Sequence, residues 1–380
     1  MFKEDVNHYL YGHMQHIEAA TTSPLSYQQQ LEAVVEETSR PIESVTLPND
    51  VSQATAFRLK GKGRTRHLIY INPYTGELLG EYKQQDTLMY KVRKLHGELL
   101  LDTPGTLIVE LVASWFIVLL ITGIVIWWPS HRNIAGVLTV RFNKSKRIMW
   151  RDLHGVMSFW VALILLVVIV GAMPWTDIFG ANLKQVQKIT KTGYPKAWRS
   201  DKGIKSIVSD TQLSLDKVVA IINQQQLEGT IEIKLSVTAD GPIKITNRSF
   251  WLSDQKVIYL DQYSGGVLTQ LDWGDVGILM DLRQVFMRLH QGEYGRANWW
   301  ILLIGCLIFL VANIASIIAY LKRKPTKRLG IPAKPESFKV GIIVIGLIAL
   351  LAVVFPMFGV SLILVVLIQG VLNAYNPQDT

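Results

Sequence analysis

The sequence predicts an α-helical integral membrane protein that carries two small α+β modules related by an internal repeat. Three observations lead there. No Asp, Glu, Lys or Arg occurs in 111–131, 153–176, 299–321 or 340–378, although 18% of the 380 residues are charged. Apolar runs of about 20 residues have the length to span a bilayer as helices. Two hydrophilic stretches between those runs match one another at a shift of 189 residues. Hydrophobic residues make up 49% of the chain and its mean hydropathy is +0.24, so a purely soluble protein is excluded.

The spans follow in order. Residues 107–128 form one apolar run, and 155–175 a second that ends in Met173-Pro174-Trp175. A third, 299–321, opens with Trp299-Trp300, and 340–373 is too long for one span. Pro356-Met357-Phe358-Gly359 breaks that last run into a hairpin of two short helices, because proline and glycine interrupt a helix. Trp127, Trp128, Trp175, Trp299 and Trp300 fall at run ends, where aromatic belts form. The loop 129–153 carries six basic residues against Asp152, and the loop 322–339 carries seven against Glu336. Both loops are therefore expected in the cytoplasm. The stretches 1–106 and 176–298 then lie outside, in a periplasm-like space. The same basic residues account for the net charge of +9 without a nucleic-acid-binding face.

In the repeat, Ile69-Tyr70-Ile71-Asn72-Pro73-Tyr74-Thr75-Gly76 pairs with Ile258-Tyr259-Leu260-Asp261-Gln262-Tyr263-Ser264-Gly265. Lys94-Leu95-His96-Gly97-Glu98 pairs with Arg288-Leu289-His290-Gln291-Gly292-Glu293. Helices are expected at 26–38 and 214–225. Strands are expected at 42–47, 54–60, 66–72 and 77–82, and at 230–237, 242–247 and 256–261. Modules of about 60 residues bury little core alone and should pack on one another or on the spans. The second module follows a span, and by symmetry the first should too. That expectation places a further helix before Met1, which would also carry the first module across the membrane.

The single cysteine, Cys306, excludes a disulfide framework, a CxxC pair and covalent c-type haem attachment. No phosphate loop, dinucleotide fingerprint or metalloprotease motif is present. Histidines are the remaining candidates for chemistry. His96 and His290 hold equivalent repeat positions beside spans, and His154 stands in Arg151-Asp152-Leu153-His154-Gly155 at the opposite edge. Histidines on different membrane helices suit bis-imidazole ligation of b-type haem, with Gly97, Gly155 and Gly292 admitting the ring. Headgroup anchoring is the plainer reading of the same positions. Met14, Met157 and Met287 are weaker ligand candidates. His8, His13 and His16 do not share one helical face, His67 reads as a solvated strand end, and His131 has no assigned role. Glu110 reads as a snorkelling carboxylate and Asn313 as a packing contact across helices.

Taken together, the Asn72-Pro73-Tyr74-Thr75-Gly76-Glu77 turn, the two Leu-His segments, Arg151-Asp152-Leu153-His154-Gly155, the span ending Gly123-Ile124-Val125-Ile126-Trp127-Trp128-Pro129 and the hairpin Pro356-Met357-Phe358-Gly359-Val360-Ser361-Leu362 resemble the PepSY-associated transmembrane family. The resemblance covers nearly the whole chain and makes the two modules PepSY-like. It implies an inner-membrane, haem-containing reductase of ferric siderophores in Gram-negative bacteria. Two b-type haems are implied, with His96, His154 and His290 as axial ligands. His96 and His290 would hold the outer haem, and His154 the inner one with a partner on the helix expected before Met1. A quinol or a cytoplasmic donor would supply electrons, membrane lipid would surround the spans, and siderophore-uptake proteins would be partners. Arg93, Lys94, Tyr74 and Tyr263 are candidates for holding the chelate. Two other classes stay open. One is a non-catalytic PepSY membrane protein that binds or regulates a periplasmic protease or ligand. The other is a permease component, which the few polar residues in the spans disfavour.

Overall fold

The computed structural model describes residues 2–18, 22–61, 65–128, 137–323 and 341–375. Its elements run α1 (Lys3–Gln15), α2 (Tyr27–Thr38), β1 (Ile42–Thr46), β2 (Thr55–Leu59), β3 (His67–Ile71), β4 (Leu78–Lys83), α3 (Leu88–Glu98), α4 (Asp102–Trp127), α5 (Lys146–Ala172) and α6 (Ile178–Ile189). They continue with α7 (Lys196–Arg199), α8 (Leu215–Gln224), β5 (Thr230–Lys234), β6 (Ile243–Arg248), β7 (Val257–Leu260), β8 (Val267–Leu271), α9 (Ile278–Gln291), α10 (Gly295–Arg323), α11 (Ile342–Val354) and α12 (Pro356–Tyr375). The chain forms two compact units, a sheet unit of Met1–His96 with Gln187–Leu282, and a helical unit of Gly97–Val186 with Arg283–Thr380.

In the sheet unit the two repeats complete a single antiparallel sheet of order β4-β3-β2-β1-β5-β6-β7-β8. The join is the β1–β5 ladder, with Val45 opposite Ile233. Alternating burial along β2 and β3 sends Phe57, Leu59, Ile69 and Ile71 into one face. Ile233, Ile245 and Ile258 from the second repeat extend the same core, which Val34 of α2 and Val218 and Ile222 of α8 cover. Each such fully buried side chain contributes about 1.5–3 kcal/mol relative to exposure. The turn glycines Gly76 and Gly265 both hold positive φ, +76° and +75°, which a side chain would strain.

The α2 and α8 N-termini cap one another across the repeat. Ser26 and Gln29 form a capping box on α2. Asp216 of α8 accepts from the Tyr27 N–H at 2.7 Å, and Gln28 of α2 accepts from the Leu215 N–H at 3.0 Å. Donors that a helix start would otherwise leave unpaired are thus satisfied by the other repeat. Several elements lie outside the expected set: β8, which gives the second repeat its fourth strand, and the helices α1, α3, α6, α7 and α9.

In the helical unit, α4, α5 extended through Trp175, and α10 are long and apolar enough to cross a membrane, and α11 and α12 are shorter apolar helices. The helices begin earlier than the apolar runs suggest, α4 at Asp102, α5 at Lys146 and α10 at Gly295. Apolarity marks the hydrocarbon-spanning part of a helix; outside it Lys146, Arg147 and Arg151 are good helix formers that extend α5, and Pro104 is tolerated in the first turn of α4. The last third of the expected loop 129–153 is therefore helical, started by Ser145, whose hydroxyl accepts from the Ile148 N–H. α10 packs along α5 through small residues: Ala312 and Ala315 are fully buried, and a Cβ on Gly305 would sit 3.4 Å from Ile164. The second core gathers Ile117, Val118, Met173, Leu351, Phe355 and Phe358. The break between α11 and α12 falls at Phe355, which precedes Pro356 and is pushed out of helical geometry. Residues 129–136 and 324–340, including His131 and most of the second basic loop, lie outside the described residues.

Candidate functional site

His154 is one turn past Arg151 on α5, and its Nδ1 lies 3.0 Å from the Ala312 carbonyl oxygen on α10. His290, near the end of α9, places Nδ1 2.9 Å from the Val168 carbonyl oxygen on α5. A carbonyl only accepts, so each Nδ1 carries the proton and donates it. The lone pair of each neutral ring is then on Nε2, the nitrogen a metal would take. Metal-ligating histidines are oriented in this way by a backbone carbonyl on the other nitrogen. Val168 is fourteen residues beyond His154 on α5, about 21 Å of helix rise, so the two imidazoles stand at separate levels. His96 belongs to the sheet unit and is exposed on α3.

The glycines beside these histidines have local reasons for their size. A Cβ on Gly155 would sit 2.4 Å from the Trp127 ring, so the space beside His154 is filled by that indole. Trp127 is held there by donating to the Val137 carbonyl at 3.1 Å. Gly292 has φ +75° and ends α9, while nothing lies within 4 Å of a Cβ on Gly97. Met14 is buried, its sulfur against Gly80, as core packing.

Two buried carboxylates of the helical unit escaped their sequence readings. Glu110 does not snorkel: it is fully buried in α4 and accepts from the Ile178 and Phe179 N–H groups at 2.9 and 2.8 Å. It thereby caps α6, whose N-terminal dipole favours the negative charge. Asp152, two residues before His154, is fully buried. It is clamped by Arg141, Nε at 2.6 Å and Nη2 at 2.9 Å, and by Arg151 at 2.7 Å. This fork anchors the basic segment to the helix that carries His154. Asn313 is exposed and donates to the Phe309 carbonyl of its own helix, and among the described residues no hydrogen bond from its side chain crosses to another helix. A solvated His67 is likewise not found: the ring is buried, its Nδ1 accepts from Arg40 at 2.8 Å, and Nε2 faces Glu81 at 3.6 Å.

Of the chelate candidates, Tyr74 and Tyr263 tie repeat-equivalent turns to neighbouring loops. Their hydroxyls donate to the Val51 and Ala239 carbonyls at 3.2 and 2.9 Å. Arg93 lies over the Tyr90 ring at 4.7 Å. Among the described residues no group of three His, Cys, Asp or Glu side chains could hold a metal ion. A haem takes two axial nitrogens from different helices instead, and the tautomers of His154 and His290 fit that donor role.

A chain with three long apolar helices and an antiparallel sheet unit is a membrane protein with a folded polar part. Residues 1–323 match the family described as PepSY-associated TM region, and the chain belongs to that family. No curated protein matches. Among solved structures the chain is similar to a putative lipoprotein from Clostridium difficile 630, at 7% identity and a TM-score of 0.25, covering 67% of this chain and 97% of that one.

Proposed function

We propose that this protein is a membrane-bound, haem-dependent reductase that passes electrons to ferric iron, as a ferric siderophore or another ferric chelate, outside a Gram-negative inner membrane. The observation that carries this reading is the fixed tautomer of His154, on the apolar helix α5, and of His290, on α9, whose Nδ1 protons go to the Ala312 and Val168 carbonyls. His290 would supply a ligand to an outer b-type haem, and His154 to an inner one. Haem supplies one-electron transfer at these levels when bound. The backbone carbonyls of Ala312 and Val168 orient the two imidazoles and hold the proton on Nδ1. The charge bias of the loops supports a periplasmic sheet unit, with a quinol or cytoplasmic donor feeding the inner level. Adding one electron to chelated Fe³⁺ weakens its bonds to hard oxygen donors, so the metal is released for uptake. Arg93 and Lys94 supply cationic groups for an anionic chelate.

The test is an absorption spectrum of the detergent-purified protein, oxidised and then dithionite-reduced, with a pyridine haemochrome assay for stoichiometry. Six-coordinate b-type bands that are lost stepwise in His290→Ala and His154→Ala support the reading. A colourless protein from a haem-replete host overturns it and favours the non-catalytic, protease- or ligand-binding alternative.

A further inference from the structure

The sheet unit brings together two imidazoles that the proposed electron path does not use. His8 lies on α1, and His16 is the residue that ends that helix, turning into an extended conformation and pairing with Gln53. His8, Gly12 and His16 are spaced by four. At Gly12 a Cβ would sit 3.4 Å from His8 Nδ1, so the glycine leaves a lane along which the two rings meet. His8 Nδ1 and His16 Nε2 are 3.0 Å apart, with the rings edge to face at a centroid distance of 4.6 Å.

We propose that His8 and His16 form a binding site for a late first-row divalent cation, Cu²⁺ foremost. An ion about 2.0–2.1 Å from both nitrogens at their observed separation subtends an angle of about 95°. That is close to the cis angle of tetragonal Cu²⁺ or Ni²⁺ and narrower than the tetrahedral angle that Zn²⁺ prefers. The nitrogens now share one proton, which the ion displaces. Two features of the surroundings suit a cation. Asp50, whose carboxyl is held below its usual range chiefly by hydrogen bonds from Ser52, is near enough to feel the charge of His16. A cleft of about 230 Å³ opens beside His16, lined also by Gln15, Asn49, Gln53 and Tyr70, and leaves room for water or a small anion to complete the coordination. His13, the third histidine of the segment, is not part of the pair. The ion would brace the C-terminal half of α1 against His16, the residue that pairs with Gln53.

The experiment titrates the tag-free, full-length protein in detergent with Cu²⁺ alone and records its electron paramagnetic resonance spectrum, which separates Cu²⁺ from haem iron. The expected result is one tight Cu²⁺ per chain with coupling to two imidazole nitrogens. His8→Gln and His16→Gln should each weaken binding by roughly tenfold or more, since even outer-sphere partners are worth that much. His13→Gln should leave it unchanged, and Ni²⁺ and Zn²⁺ should bind more weakly than Cu²⁺. Cu²⁺ bound without two-nitrogen coupling, or bound equally well by His8→Gln and His16→Gln proteins with unchanged melting, overturns the proposal. Because the readout is a copper signal, its failure leaves the haem spectrum untouched and the two readings fall separately.

Discussion

Replacing Glu110 with alanine removes a carboxylate that accepts two backbone N–H groups at the start of α6, at 2.9 and 2.8 Å, from a fully buried position. Hydrogen bonds to a charged group contribute about 1.5–3 kcal/mol each, and a buried N–H left unpaired costs about 1–3 kcal/mol. Removing the charge also removes its desolvation penalty, which offsets part of the loss. The two N–H groups remain in an apolar setting in the variant, so the unpaired donors decide the sign. The net destabilisation is about 2–5 kcal/mol. At roughly 2–4 °C per kcal/mol for a unit of this size, Glu110→Ala should melt about 4–20 °C lower in detergent. Glu110→Gln keeps one acceptor oxygen and should fall between. Hydrogen exchange by mass spectrometry reads the mechanism directly, as faster exchange in peptides covering 176–182. A melting temperature within 3 °C of the parent, with unchanged exchange there, would refute the capping role.

Three further outcomes follow from the same contacts. Gly155→Ala drives a Cβ into the Trp127 ring and should destabilise by about 1–3 kcal/mol, read as a lower melting temperature with increased Trp127 emission change on quenching. Asp216→Ala strips the acceptor from the Tyr27 N–H and should lose about 1 kcal/mol; Gln28→Ala removes the mirrored bond and should lose a comparable amount. Asp261 gives a pH signature. Burial alone would raise its carboxyl, but N–H donation from Ser264, Ile207 and Tyr263 outweighs that and holds it below the usual carboxylate range. A depressed acid stabilises the fold above its unfolded pKa of about 3.9, and the contribution is lost as pH falls through the folded value. Asp261→Asn should therefore be less stable than the parent at pH 7, with the gap in melting temperature closing below about pH 4.

The elements carried by short-range signals were legible in the sequence. The repeated Tyr-x-(Asn/Asp)-x-Tyr-x-Gly turns, the alternation of β2 and β3, and the serine before α2 each act over a few residues and dictate local geometry. Contacts that join distant segments were not legible. Glu110 finds its partners 68 and 69 residues away, and no periodicity in α4 announces them. The β1–β5 join depends on which edge strands meet, which two separately read modules do not reveal. Gly155 looked like room for a ring beside His154, and the ring that fills it is the chain's own Trp127. His67 looked solvated among Lys60, Lys62, Arg64 and Arg66, and burial came from Arg40, 27 residues upstream. Of the candidate site, the histidine positions could be read from their recurrence. The carbonyls that orient His154 and His290 lie 158 and 122 residues away and could not.

The shared sheet sets a timetable for the nascent chain. β1 leaves the ribosome with an unpaired edge whose partner, β5, is encoded 188 residues later, as the pairing of Val45 with Ile233 shows. At about 5–20 residues per second that edge waits roughly 10–40 s, while the α4 and α5 segments are synthesised in between. An exposed strand edge is a template for wrong pairing. Slowing translation between β1 and β5 should therefore raise its aggregation more than slowing it afterwards.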